Sequence, residues 1–134
     1  MKRADNWPTL LTRFIEERRA MPFAWGSNDC CLFAADWCRT VGGIDFADGI
    51  RGTYSSALGA MRVLEKHGGV FDLAQKRAGL ERVPKQMAQR GDIVAHEVPH
   101  GVALGICLGA VAAFVGRDGL TFAPIEGAVG VWRI

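Results

Sequence analysis

The side chains that could carry covalent chemistry are few and concentrated. Cys30 and Cys31 stand together directly after Ser27-Asn28-Asp29, and Cys38 follows on the same apolar stretch. Cys107 is the fourth cysteine, and the histidines are His67, His96 and His100. Asp, Asn and Ser cap helix N-termini because their side-chain oxygens accept bonds from the otherwise unpaired first N–H groups. Asp29 therefore reads as a cap, in preference to a catalytic carboxylate, and Cys30 as a residue of the first helical turn. There the helix dipole favours a thiolate and can pull a thiol below its ordinary value of ~8.5. That makes Cys30 the candidate nucleophile. The alternative reading, which suits Cys31, Cys38 and Cys107 best, is packing, since a free cysteine behaves as a small hydrophobe.

The elements that would position these residues follow from apolar spacing. Asn6 and Pro8 open a helix that carries Trp7, Leu10, Leu11, Phe14 and Ile15 on one face and ends near Ala20, ahead of Pro22. A second, largely apolar helix runs from about Cys30 to Thr40 and closes at Gly42-Gly43; with Leu32, Phe33 and Trp37 on more than one face it is the buried central helix. A turn-rich loop spans 44–53. A third helix capped by Thr53, Ser55 or Ser56 carries Tyr54, Leu58, Met61 and Leu64 and ends at Gly68-Gly69, and a fourth spans Phe71–Ala78. From Pro84 the pattern becomes short strands: Asp92–His96, Val102–Leu108, Ala110–Val115, Leu120–Phe122 and Val129–Ile134. Gly116-Arg-Asp-Gly119 is a hairpin signal. Helices over about 6–80 and an antiparallel meander over about 91–134 define an α+β chain, expected to form a single domain over 1–134.

Bulk properties narrow the function classes. With 134 residues, 49% hydrophobic and 22% charged, the chain has the composition of a folded domain with a sizeable core. A net charge of +2 without a basic run argues against a nucleic-acid partner. No stretch approaches the ~18 apolar residues of a membrane span, and the first residues show no signal-peptide pattern. In a reducing compartment free thiols are the default, and no CxxC spacing marks a zinc site, so neither metal nor cofactor is expected. A cluster of all four cysteines would require Cys107 to come against the helix.

Three segments in this order, Asp29-Cys30, Gly91-Asp92-Ile93-Val94 and Gly105-Ile106-Cys107-Leu108-Gly109, resemble the NlpC-type papain-like cysteine peptidases, which cleave peptide stems of bacterial cell walls. The resemblance covers about residues 23–123. It implies a papain-like α+β fold, with N-terminal helices packed on a small antiparallel sheet or partial barrel, and Cys30 in the nucleophile's place. Phe23-x-Trp25-Gly26-x-x-Asp29-Cys30-Cys31, Gly52-x-Tyr54 and Val131-Trp132-Arg133 are more closely similar to small phage and prophage tail-region proteins of NlpC type.

The chain departs from the peptidase pattern where the base should be. The family's histidine, two residues before the glycine of Gly105-Ile106, is Ala103 here. Alanine can neither deprotonate a thiol nor protonate a leaving amine. His100, three residues earlier in a Pro/Gly-rich connection, is the candidate substitute, with an idle exposed residue as the alternative; His96, ending the preceding strand, is the weaker candidate.

Two functions follow from the resemblance. One is a non-catalytic structural component of a phage or prophage tail tip, made in the bacterial host cytoplasm and assembled into the virion tail. It would contact tail-tip and hub proteins through apolar surface around Trp7, Trp25 and Trp132, although burial of these tryptophans in the core is the favoured reading. The other is a cysteine peptidase or amidase of peptidoglycan peptides, with Cys30 as nucleophile and His100 as base.

Overall fold

The computed structural model describes residues 1–99 and 101–134. Helix α1 (Trp7–Arg18) starts after Asn6 with proline in its first turn, where a missing N–H removes no helical bond, and buries Leu11, Phe14 and Ile15. It stops at Arg18. The Arg19 carbonyl then accepts the Leu120 N–H at 2.9 Å, so the end of the helix is joined to the sheet.

Helix α2 (Cys30–Gly42) is buried at every position from Cys31 to Cys38 and is closed by Gly43 in the left-handed conformation, φ 76°. Phe14 packs on Phe33 and Trp37 with ring centroids 5.4 and 5.5 Å apart. Trp37 donates its indole N–H to the Gly91 carbonyl at 2.8 Å, which ties the central helix to the sheet. Asp36 is the polar exception on this helix. Its carboxylate lies 2.6 Å from both Arg18 and Arg51 and 3.4 Å from Arg39, which satisfies an otherwise costly buried charge.

Helix α3 (Ala57–Glu65) is capped by Ser56, whose hydroxyl accepts the Gly59 N–H. Tyr54, expected on this helix, precedes it in the loop, where it serves a different purpose described below. Helix α4 (Val70–Ala78) ends at Gly79.

Six strands form one antiparallel sheet: β1 (Glu81–Val83), β2 (Ile93–Val98), β3 (Gly101–Cys107), β4 (Val111–Gly116), β5 (Gly119–Pro124) and β6 (Ala128–Arg133), in the order β1-β6-β2-β3-β4-β5. The α+β architecture expected from the pattern is the one observed. The meander, however, holds only from β2 to β5. β6 returns across the sheet to lie between β1 and β2. Ala128, Gly130, Val131 and Trp132 are small or apolar and buried, which suits an interior strand. β5, with Thr121 and Phe122 exposed, tolerates the edge. β1 carries no periodicity in its three residues, and only its pairing to β6 makes it a strand.

One face of the sheet, with Ile93, Ala95, Leu104, Ile106, Ala113 and Trp132, packs with the helices in the main core. The opposite face gathers Val94, Cys107, Ala112, Phe114 and Val131 into a second cluster. The ends of the chain meet at Asp92, which is fully buried and accepts from Arg3 at 2.8 Å and Arg133 at 3.1 Å, while Arg3 also reaches the Ile134 carbonyl. The Gly91-Asp92 motif is therefore a structural clasp.

Candidate functional site around Cys30

The site is built by a fork in the sheet. β3 pairs with β4 only over Ile106 and Cys107, so the first half of β3 and the last half of β4 are not paired to each other. The segment leading into α2 occupies this fork. The Phe23 N–H donates to the Gly116 carbonyl at the end of β4, while Cys30 lies against the backbone of Leu104 in β3. Gly26 sits in this segment with φ 81°, and a Cβ there would collide with the Tyr54 carbonyl oxygen, so both the backbone conformation and the space demand glycine.

Asp29 is the N-cap of α2. Its Oδ1 accepts the Leu32 N–H at 3.0 Å, and its Oδ2 accepts the Gly26 N–H at 3.0 Å and the Tyr54 hydroxyl at 2.6 Å. At 1% exposure the carboxylate is fully occupied by these three donors. It holds a helix start and a loop together.

Cys30 is half-buried, and its thiol is pushed up from the ordinary range. Burial is the main cause and the Asp29 carboxylate adds to it; bonding from the Leu104, Cys31 and Cys30 backbone works the other way and loses. Burial and the Asp29 anion thus act against the thiolate that a helix dipole would favour. The cap that starts the helix is also an anion next to the sulfur, and desolvation disfavours a second one. Cys31 and Cys38 are buried and likewise pushed up by desolvation, Cys38 to about 12. All four cysteines are free thiols, and among the described residues no group of three or more His, Cys, Asp or Glu side chains is placed to hold a metal ion.

The base position is equally informative. Ala103 stands directly opposite His96 in the β2–β3 register, and it packs with the cluster on the sheet face away from the helices. Leu104, its neighbour, faces the helices. Alternation along a strand thus puts His96 and Ala103 together on the face that α2 does not cover. The His96 ring lies 4.7 Å from the Phe114 ring, its Nε2 is buried without a partner among the described residues, and burial, with a smaller contribution from Lys85, holds it below its ordinary value, hence neutral at pH 7. Among the described residues no side chain hydrogen-bonds the Cys30 sulfur. His100, the other candidate base, lies outside the described residues.

Of the three tryptophans weighed as interface anchors or core residues, Trp25 alone is exposed. Trp25 is 40% exposed beside the fork, in edge-to-face contact with Phe23 at 4.6 Å. Trp132 is buried and stacked on Phe71, and Trp7 lies half-buried beneath the Arg3 guanidinium. Spacing alone did not reveal Tyr54, Asp92 or the Asp36–Arg51 pair as structural anchors. Gly52-x-Tyr54 was a motif without a role until the fold brought it to Asp29.

The chain belongs to the family described as a domain of unknown function, DUF6950, which matches residues 2–134. No curated protein sequence matches it. A solved structure of RipD from Mycobacterium tuberculosis, described as a non-catalytic NlpC/p60 domain protein with an adaptation to peptidoglycan-binding function, aligns with 98% of this chain and 99% of its own at 17% identity and a TM-score of 0.47.

Proposed function

We propose that this chain is a non-catalytic NlpC-like domain that serves as a structural component of a phage or prophage tail tip, made in the host cytoplasm and assembled into the virion tail. The observation that carries the non-catalytic half is the surroundings of Cys30. The sulfur sits at the head of α2 against Leu104, its thiol is held in the protonated form by burial and by Asp29, and among the described residues no side chain hydrogen-bonds it. Nucleophilic catalysis by cysteine requires a thiolate and a group to return its proton, and removal of that group costs several orders of magnitude in rate.

The tail-tip half rests on the motifs Phe23-x-Trp25-Gly26-x-x-Asp29-Cys30-Cys31, Gly52-x-Tyr54 and Val131-Trp132-Arg133. Trp25, a large exposed aromatic supported by Phe23, is the side chain best suited to anchor a hub or tip protein.

The test has two arms. Incubation with peptidoglycan fragments should give equal, negligible cleavage by the protein and its Cys30→Ala variant; turnover that Cys30→Ala abolishes would overturn the non-catalytic reading in favour of a cell-wall peptidase or amidase. Purified tails should contain the protein, and particles assembled with Trp25→Ala should contain less of it. Tails from which the protein is absent would overturn the assembly role.

A further inference from the structure

A histidine sits among apolar side chains on the sheet face that the helices leave uncovered. His96 lies on β2 where the β2–β6 register slips: Ala95 faces Gly130 and His96 faces Ala128, so Val129 has no partner in that ladder. Such a bulge re-aims the side chain beside it. The His96 ring packs 4.7 Å from the Phe114 ring, and a Cβ on Gly127 would stand 3.2 Å from its Cε1. We infer that His96 is a proton-operated latch on the turn Ile125–Gly127, which carries the chain from β5 into β6. The neutral ring packs against the turn and keeps it closed; the protonated ring releases it.

The turn is held at few points. The Ile125 N–H donates to the Ala110 carbonyl at 3.0 Å, Lys85 donates to the Glu126 carbonyl at 2.7 Å, and the His96 ring fills the space against Gly127. A proton arriving on the ring finds nothing to receive it. Nε2 is buried and has no partner among the described residues. Towards the ring β3 brings Ala103, β4 Phe114 and β6 Ala128, none of which titrates. On β2 itself the adjacent Glu97 points to the other face.

Two short turns supply the charges nearby. Lys85–Met87 brings the Lys85 ammonium, and Ile125–Gly127 brings Glu126, whose carbonyl is tied to Lys85 and whose side chain is exposed. Burial first, and then the Lys85 ammonium, disfavour the imidazolium. A proton on His96 therefore strands a charge among apolar groups and sets it against the very cation that ties the turn down. The open form binds the proton better than the closed one. The latch keeps its full stability above the ordinary histidine value, about 6.5, and loses it as pH falls below that.

Two-dimensional NMR over about pH 7.5 to 5 tests this. The His96 Cε1–H resonance should titrate with a midpoint below about 6.5. The Ile125 amide, and the Ala128 amide that bonds the Ile125 carbonyl, should exchange roughly threefold faster or more on the acid side after correction for intrinsic rates, while α2 amides hold their protection. His96→Gln, which carries no titrating group, should flatten the response of the turn. Lys85→Gln, at an exposed position, should move the His96 midpoint upward. A midpoint at or above 6.5, a turn that ignores the titration, a response that persists in His96→Gln, or equal acceleration throughout α2 would each overturn the latch. Should His96→Gln fail to fold, Lys85→Gln decides, because an unmoved midpoint there overturns it as well.

Discussion

Tyr54 donates its hydroxyl to Asp29 at 2.6 Å across 25 residues of chain, and through that bond the loop before α3 is fastened to the residue that starts the central helix. The carboxylate it meets also caps Leu32 and holds Gly26, so three separate pieces of backbone depend on one buried group. Tyr54→Phe leaves that carboxylate short of a donor while the ring still packs. Removing one partner of a buried charged acceptor costs about 1–3 kcal/mol. The expected outcome is a melting temperature lower by about 4–11 °C, from about 3.6 °C per kcal/mol at this chain length, read by thermal denaturation; an unchanged melt would show the bond to be energetically idle.

Cys30 should react slowly. With the thiol raised by burial and by Asp29, iodoacetamide labelling at pH 7 is expected to lag well behind a free cysteine and to accelerate steadily as pH climbs past 9. Asp29→Asn keeps a capping side chain but removes the anion, and should speed labelling at neutral pH. Mass-mapped alkylation rates decide this, and a fast, pH-independent reaction would point to a thiolate.

Alkaline pH should destabilise the fold. The four thiols are all raised in the folded state, Cys38 to about 12, so each stays protonated after its unfolded counterpart has ionised. Their stabilising contribution is complete below the unfolded thiol pKa, near ~8.5, and is lost as pH rises above it, at up to about 1.4 kcal/mol per pH unit for each group. Urea midpoints measured from pH 7 to 10 should fall from about pH 8.5 upward, and more gently in Cys38→Ala than in the parent.

Asp36 stands among Arg18, Arg39 and Arg51, and is itself nearly buried. Asp36→Ala leaves Arg18 without a carboxylate, while Arg51 and Arg39 keep Asp45, so the loss falls below the about 3–5 kcal/mol of a fully orphaned buried charge. Urea denaturation should show a drop of about 1–2 kcal/mol, with Asp36→Asn intermediate.

Gly105 is sterically required. A Cβ there would lie 2.5 Å from the Ala113 carbonyl oxygen and 2.6 Å from the Phe114 ring, at the point where β3 leaves β4. Gly105→Ala is expected to cost about 1–3 kcal/mol by overpacking. Perturbed amide resonances should centre on Ala113, Phe114 and His96.

Much of this molecule is written in local pattern. The apolar stripe Leu11-Phe14-Ile15, the Asp29 cap, the all-round apolar run from Cys31 to Cys38 and the glycines at helix ends need only neighbours within one or two turns, so their helices were legible with bounds accurate to a few residues. Strands with alternating or continuous apolar residues, β2 to β4, were legible for the same reason. What only the tertiary structure decided are relations between residues far apart in the chain. β6 returns to pair with β2, Tyr54 closes on Asp29, and Arg3 and Arg133 meet Asp92, because burial of an apolar strand and of lone carboxylates is favourable only once distant partners arrive. The chemistry of Cys30 belongs to this second group. Its residue type and its place at a helix start suggest an activated thiol, yet the sulfur's protonation is set by how much water the fold removes and by the buried anion the fold keeps beside it.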